Sequence, residues 1–236
     1  MKMLQLALSD LDSFVRRRSL DGESKGYVMH SVLTELFGEE APPVFESRGH
    51  SVLAYSEHSL QELRSVAELK APPRLYRQCV WGDCASKPMP SVPAGVDVGF
   101  EVTCVPTVRK ASDGVGENFD GERREWYEGQ ELDAFLSEAW KQGEGADVGR
   151  EEVYRDWLSG RLDRGGADLD EMSLSDFRVQ KMTRRNHGSG FRTITRPVAT
   201  LAGRLTVTGG DAFGDLLLSG VGRHTAFGCG MLKLEP

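Results

Sequence analysis

Apolar residues punctuate the start of the chain at Met3, Leu4, Leu6 and Leu8, and this near-alternation predicts a strand over Lys2 to Ser9. Arg16, Arg17 and Arg18 follow in a polar loop. The period then lengthens. Met29, Val32, Leu33, Leu36 and Phe37 recur at three- and four-residue intervals, which predicts a helix from about Lys25 to Phe37 with Ser24 as its cap and Gly38 as its stop. Tyr27, His30 and Thr34 fall on a neighbouring face of that helix. Two short strands are predicted over Pro43 to Arg48 and Ser51 to Tyr55, with a turn at Gly49 and His50. A helix from Ser59 to Leu69 follows, and Ala71-Pro72-Pro73 breaks it. Trp81 to Pro93 reads as irregular, and Val96 to Val108 alternates again as one long strand. The order strand–helix–strand–strand–helix–strand is ferredoxin-like.

In the second half, Ser112 to Glu122 is glycine-rich and acidic and reads as a loop or linker. Helices are predicted over Leu132 to Gln142 and Arg150 to Leu162. Met172 to Thr183 and Phe191 to Leu201 form a hairpin around the polar turn Arg184 to Gly190. A last strand is predicted at Met231 to Leu234.

The chain has 236 residues, 39% of them hydrophobic, enough for one large or two small domains. No stretch is long and apolar enough to span a membrane, and the N-terminus does not read as a signal peptide, so a cytoplasmic protein is expected. Cys79, Cys84, Cys104 and Cys229 show no zinc-ligand spacing and read as free or buried thiols. The net charge of −7 argues at first against a polyanionic partner. It conceals an asymmetry. Phe177 to Pro236 holds nine Lys/Arg against three Asp/Glu, a balance of +6, and the remainder carries −13. Asp113 to Glu171 holds eighteen acidic against seven basic residues, a surface that RNA phosphates should avoid.

Three features carry candidate chemistry. Lys181, Arg184, Arg185, His187, Arg192 and Arg196 crowd the predicted hairpin; such a cluster is a solvated edge or a phosphate-tracking ribbon. Gly220-Val221-Gly222-Arg223-His224-Thr225-Ala226-Phe227-Gly228-Cys229-Gly230 is either a tight turn before the last strand or a backbone nest for an anion. It matches neither the P-loop nor the dinucleotide fingerprint. Finally, Tyr27 stands three residues before His30 on the first helix, and histidine is the usual proton carrier near neutral pH. His50 and His58 are assigned no role.

The glycine pattern at Gly220, Val221, Gly222, Phe227, Gly228 and Gly230 resembles the C-terminal loop of the RAMP superfamily of CRISPR-associated proteins. In detail it is similar to the CasE family, the CRISPR RNA-processing endoribonuclease of the type I-E Cascade complex. The Tyr27-Val28-Met29-His30 segment, the Val105 to Lys110 segment and the basic hairpin resemble that family as well, Gly203 to Thr208 resembles its next strand, and Asp211 to Leu218 resembles the helix before its glycine-rich loop. The chain departs from the pattern at Thr225, where the family commonly has Lys, and at His224, where it has a small residue.

The resemblance and the element order together predict an α+β fold of two tandem ferredoxin-like (βαββαβ, RRM-like) domains, residues 1–108 and 109–236. The resemblance implies an endoribonuclease that cleaves CRISPR precursor RNA within the repeat stem-loop without metal or cofactor, leaving a 2′,3′-cyclic phosphate and a 5′-OH. It implies His30 and Tyr27 as catalytic residues. For RNA binding it points to Lys181, Arg184, Arg185, Arg192, Gly220, Gly222, Arg223, His224, Gly228 and Gly230. The partners it implies are the repeat stem-loop and other Cascade subunits, with no membrane and with DNA reached only through the complex. The alternative is a non-catalytic RNA-binding RAMP subunit that scaffolds such a complex. An acidic ferredoxin-like protein unrelated to RNA would leave the hairpin and loop as coincidences.

Overall fold

A computed structural model describes residues 1–9, 23–145, 147–185 and 190–235. Arg16 to Arg18 and the hairpin tip with His187 lie outside the described residues.

The first sheet is built from β1 (Lys2–Ala7), β2 (Phe45–Arg48), β3 (Ser51–Ser56) and β4 (Ala85–Pro88), in the antiparallel order β2-β3-β1-β4. Helices α1 (Lys25–Phe37) and α2 (Leu60–Lys70) lie between the strands in sequence, and α3 (Pro73–Tyr76) follows. This is the ferredoxin-like arrangement. Leu4 and Leu6 of β1 meet Val28, Val32, Leu33 and Leu36 of α1 and Leu63 and Ala67 of α2 in one buried cluster. The helix ends are specified locally. Ser59 and Glu62 form a reciprocal capping box on α2, and Gly38 ends α1 at φ 62°.

The second sheet repeats the plan with β5 (Asp97–Cys104), β10 (Ala167–Arg185), β11 (Phe191–Val207) and β12 (Leu232–Glu235), in the order β10-β11-β5-β12. Between β5 and β10 run β6 (Thr107–Arg109), β7 (Gly114–Glu117), β8 (Arg123–Trp126), β9 (Glu131–Asp133), α4 (Ala134–Gln142) and α5 (Arg150–Leu162); α6 (Gly210–Ser219) links β11 to β12. The α+β reading with two tandem ferredoxin-like sheets holds.

Three expectations change in detail. Val96 to Val108 is not the last strand of the first unit. Its main part, β5, pairs with β11 and β12 and opens the second sheet, so the sheets divide between Pro88 and Asp97 rather than at residue 108. The fourth strand of the first sheet is β4, inside the proline-bearing stretch that shows no apolar alternation; all four of its residues are exposed. The expected linker at Ser112 to Glu122 contains β7 of the β7–β8 hairpin, where Trp126 crowds Gly114 and Lys110 stands 3.9 Å over the Trp126 ring.

The two units share a joint. The face of β1 and β3 turned away from the first core carries Met3, Leu53 and Tyr55, which pack into the core of the second unit. The Tyr55 hydroxyl donates to the Leu232 carbonyl at 3.0 Å. Lys233 on β12 reaches Glu46 of β2 at 2.9 Å and also pairs with Glu101. Ser24 does not cap α1 with its side chain. It joins that helix to the hairpin instead: its N–H donates to the Thr183 carbonyl at 3.0 Å, and its Oγ accepts the Thr183 N–H at 2.8 Å.

Contact is tightest at Gly26 of α1, where an added Cβ would stand 2.0 Å from the Phe227 carbonyl oxygen. In an ordinary helix Gly→Ala stabilises by about 1 kcal/mol. Here the steric term dominates, and Gly26→Ala should destabilise by about 1–3 kcal/mol. Equilibrium urea unfolding reads the sign; a raised midpoint would mean that the units do not meet at this point in solution.

Candidate functional site

The ribbon of β10 and β11 is longer than the sheet that holds it. β5 pairs with β11 only from Ala199 to Thr206, so Arg178–Arg185 and Phe191–Val198 pair only with each other. Strand alternation puts Met182 and Arg184 on one side of the ribbon, opposite Ile194 and Arg192. Met182 and Val198 are buried with Val105 and Cys229, and Ile194 and Phe227 pack against them. This small apolar floor fixes the ribbon over the glycine-rich loop.

Within the loop, Thr225–Phe227 forms a single 3₁₀ turn between residues in left-handed conformation, His224 (φ 68°) and Gly228 (φ 77°). His224 is the only non-glycine residue with positive φ among those described. The glycines are turned toward protein. A Cβ on Gly222 (φ 84°) would stand 3.0 Å from the Trp157 ring, and one on Gly220 would stand 2.4 Å from Val44 Cγ1. Gly228 lies against Phe45, and Gly230 against the Val221 carbonyl. The Val221 N–H donates to the Gly230 carbonyl at 2.8 Å and the Gly230 N–H to the Thr103 carbonyl at 2.7 Å, which ties the loop shut at its base. Internal packing therefore accounts for all four glycines. The residues the loop presents outward are Arg223 to Phe227.

Those residues form one wall of a cleft of about 790 Å3. Five arginines line it: Arg184, Arg192 and Arg196 from the ribbon, Arg223 from the loop and Arg109 from β6. Lys181 is exposed but not part of the lining, because it sits one residue out of phase with Met182 and Arg184. Arg185 ends the described part of β10, opposite Phe191.

One carboxylate stands among these cations. Glu131 of β9 accepts from Arg223 Nη1 at 2.9 Å and Arg196 Nη2 at 3.1 Å, and lies 3.1 Å from His224 Nε2. It is 16% exposed. Burial pushes the Glu131 carboxyl up, but His224, Arg196 and Arg223 together outweigh this and hold it below the usual carboxylate value. Burial lowers the pKa of His224; Glu131 opposes that shift, and Arg196 and Arg223 add to it. Sequence reasoning missed Glu131. It belongs to the acidic segment expected to avoid phosphates, and nothing near it in sequence marks it. Arg109, Tyr127 and Gln130 line the same cleft and were also missed.

α1 brings the remaining candidates to this wall. The Tyr27 ring lies 5.6 Å from Phe227, tilted to it, and the His30 ring lies 5.9 Å from Tyr27. His224 lies 6.2 Å from the Phe227 ring. His30, Tyr27, Phe227 and His224 thus form a continuous aromatic row between the first helix and the arginine cleft. His30 is half-buried, and that burial lowers its pKa below the ordinary 6.5, so it is neutral at pH 7 and able to accept a proton. The geometry combines an arginine-lined cleft with a neutral imidazole that reaches its wall through Tyr27 and Phe227.

The fold has counterparts among known proteins. The model of the CRISPR associated protein family matches residues 5–236. The fold is similar to a solved structure of CRISPR endoribonuclease Cse3 bound to 19 nt RNA, with 19% identity, full coverage of both chains and a TM-score of 0.61. It is similar to Thermus thermophilus Cse3 bound to an RNA representing a pre-cleavage complex, with 18% identity, coverage of 100% of this chain and 98% of that one, and a TM-score of 0.60. Cas6e from Escherichia coli K-12 gives 16% identity, full coverage of both chains and a TM-score of 0.51. A comparison with curated proteins gives no match. With a family match over nearly its whole length, the chain belongs to the CRISPR-associated protein family.

Proposed function

We propose that this protein is an endoribonuclease that cleaves CRISPR precursor RNA within the repeat stem-loop by a metal-independent reaction and serves as a subunit of a Cascade complex. The observation that carries the reading is the row from His30 through Tyr27 and Phe227 to the five-arginine cleft. The solved Cse3 proteins of the same fold hold RNA, and a CRISPR RNA-guided surveillance complex contains a chain of this fold. The partners proposed for this chain are accordingly the repeat stem-loop and other Cascade subunits, with DNA reached only through that assembly.

A folded RNA hairpin is held by shape and phosphate contacts. Arg184, Arg192, Arg196 and Arg109 would take the backbone. His30, neutral at working pH, accepts the proton of the 2′-OH as that oxygen attacks the adjacent phosphate. The bond to the 5′-oxygen breaks and that oxygen takes a proton from solvent, leaving a 2′,3′-cyclic phosphate and a 5′-OH. Tyr27 packs on His30 and positions the reacting group. Arg223, half-exposed beside Thr225, is placed to offset charge on the pentacoordinate phosphate where the family commonly has Lys. Glu131 holds Arg223, Arg196 and His224 in register.

His30→Ala should lower the single-turnover cleavage rate of a repeat hairpin in EDTA by about 10²–10⁴-fold and leave affinity within a few-fold. With subsaturating enzyme, the parent rate should fall as pH drops, with a midpoint below 6.5, because the base must be neutral and its pKa is depressed. Parent-level cleavage by His30→Ala, or binding by the parent without any cleavage, would overturn the reading.

Arg184→Ala with Arg192→Ala should weaken RNA binding and flatten the plot of log affinity against log salt by about one unit per lost phosphate contact. Lys181→Ala should leave that slope nearly unchanged. Equal effects of the two variants would mean that the opposite side of the ribbon faces the RNA.

Glu131→Gln removes the group that raises the His224 pKa, so His224 should titrate at still lower pH than in the parent. NMR titration of the ring protons measures this directly, and an unchanged value would mean that the pair is not formed in solution.

A further inference from the structure

The turn between α3 and β4 brings two of the four cysteines together, away from the cleft. Cys79 Sγ and Cys84 Sγ lie 3.8 Å apart. Their surroundings differ. Cys79 is 4% exposed, and its backbone bridges Leu8 beyond the end of β1. Cys84 is partly exposed; its sulfur accepts the Ala7 N–H at 3.3 Å and lies 3.4 Å from the Val80 carbonyl. The proposed cleavage chemistry uses neither residue. The other two cysteines, Cys104 and Cys229, are buried in the second unit.

We propose that Cys79 and Cys84 form a redox-active dithiol that a low-molecular-weight disulfide converts into an intramolecular disulfide. The thiolate is the attacking species in such exchange. The hydrogen bond from Cys79 lowers the Cys84 pKa to about 7, against the effect of burial, and the Ala7 N–H adds to the lowering. The same hydrogen bond, together with burial, pushes the Cys79 thiol up. The roles are therefore assigned by position: Cys84, the more accessible, attacks, and Cys79 resolves.

In the first step the Cys84 thiolate attacks one sulfur of the small disulfide. The sulfur–sulfur bond breaks, one small thiolate leaves and takes a proton, and Cys84 holds a mixed disulfide. In the second step Cys79 gives its proton to solvent and attacks Cys84 Sγ, and the second small thiolate leaves and is protonated. The two cysteines lose two electrons and the small disulfide gains them. A protein disulfide measures about 2.0 Å between sulfurs, so the pair must close by roughly 2 Å. Gly82, between the two cysteines in the turn, faces open space. Closure would tighten the turn that leads into β4, the edge strand of the first sheet.

The test uses the full chain in reduced form, treated with glutathione disulfide under native conditions, quenched by alkylation and mapped by non-reducing peptide mass spectrometry. The expected product in the parent is a peptide bridged between Cys79 and Cys84, with Cys104 and Cys229 alkylated only after denaturation. Cys79→Ser should stop at the mixed disulfide on Cys84, and Cys84→Ser should leave Cys79 unmodified over the same interval. The initial rate at Cys84 should reach half its plateau near pH 7. A parent that stops at the mixed disulfide, or a Cys84 that reacts no faster than Cys104 and Cys229, overturns the proposal. The parent map decides the matter even where a variant folds poorly. Neither outcome depends on RNA cleavage.

Discussion

The meeting of the two units at the candidate site turns on one steric contact. The backbone of α1 at Gly26 approaches the Phe227 carbonyl so closely that no side chain fits between them. Through this contact a helix from the first sheet and a loop from the second become one wall. The apolar second face of β1 and β3, the Tyr55 hydrogen bond to Leu232 and the Ser24 pairing with Thr183 hold the same joint at other points. Without it, Tyr27 and His30 would lie on one ferredoxin-like unit and the arginine cleft on the other. The glycine-rich loop serves here as a joint first: its glycines face Val44, Trp157 and Phe45, and its charged residues face the cleft.

Electrostatics act on top of that packing. An acidic chain can hold a polyanion when its positive charge is gathered in a concave site, because the field is set by the local groups and distant charges are screened over about 10 Å at 0.1 M salt. Five arginines around one groove supply such a field. Glu131 subtracts one charge from it and in exchange fixes Arg196 and Arg223 in place. A side chain already ordered loses less rotamer entropy when a ligand arrives, so a carboxylate inside an arginine-lined groove is compatible with the proposed binding of phosphates. The two histidines of the aromatic row differ in setting. His224 has a carboxylate partner that opposes its desolvation, whereas the shift at His30 comes from burial.

Much of this was legible from residue order. Hydrophobic period alone placed α1 and α5 nearly to the residue, because a helix buries a stripe set by its own 3.6-residue repeat, and the family resemblance placed α6. The hairpin is equally local. The Tyr27–His30 spacing and the glycine pattern were visible as motifs, and the structure sets both at one wall. Tertiary structure alone decided which sheet takes Asp97–Cys104, since an alternating strand carries no label for its partners and hydrogen bonding to β11 and β12 is non-local. β4 escaped notice because it is an exposed edge strand without alternation. The cleft's arrangement was equally out of reach. Glu131 is separated by 65 residues from Arg196 and by 93 from His224, and no period or spacing links positions that distant. Local chemistry wrote the elements and the candidate residues; chain closure around a shared core chose which of them meet.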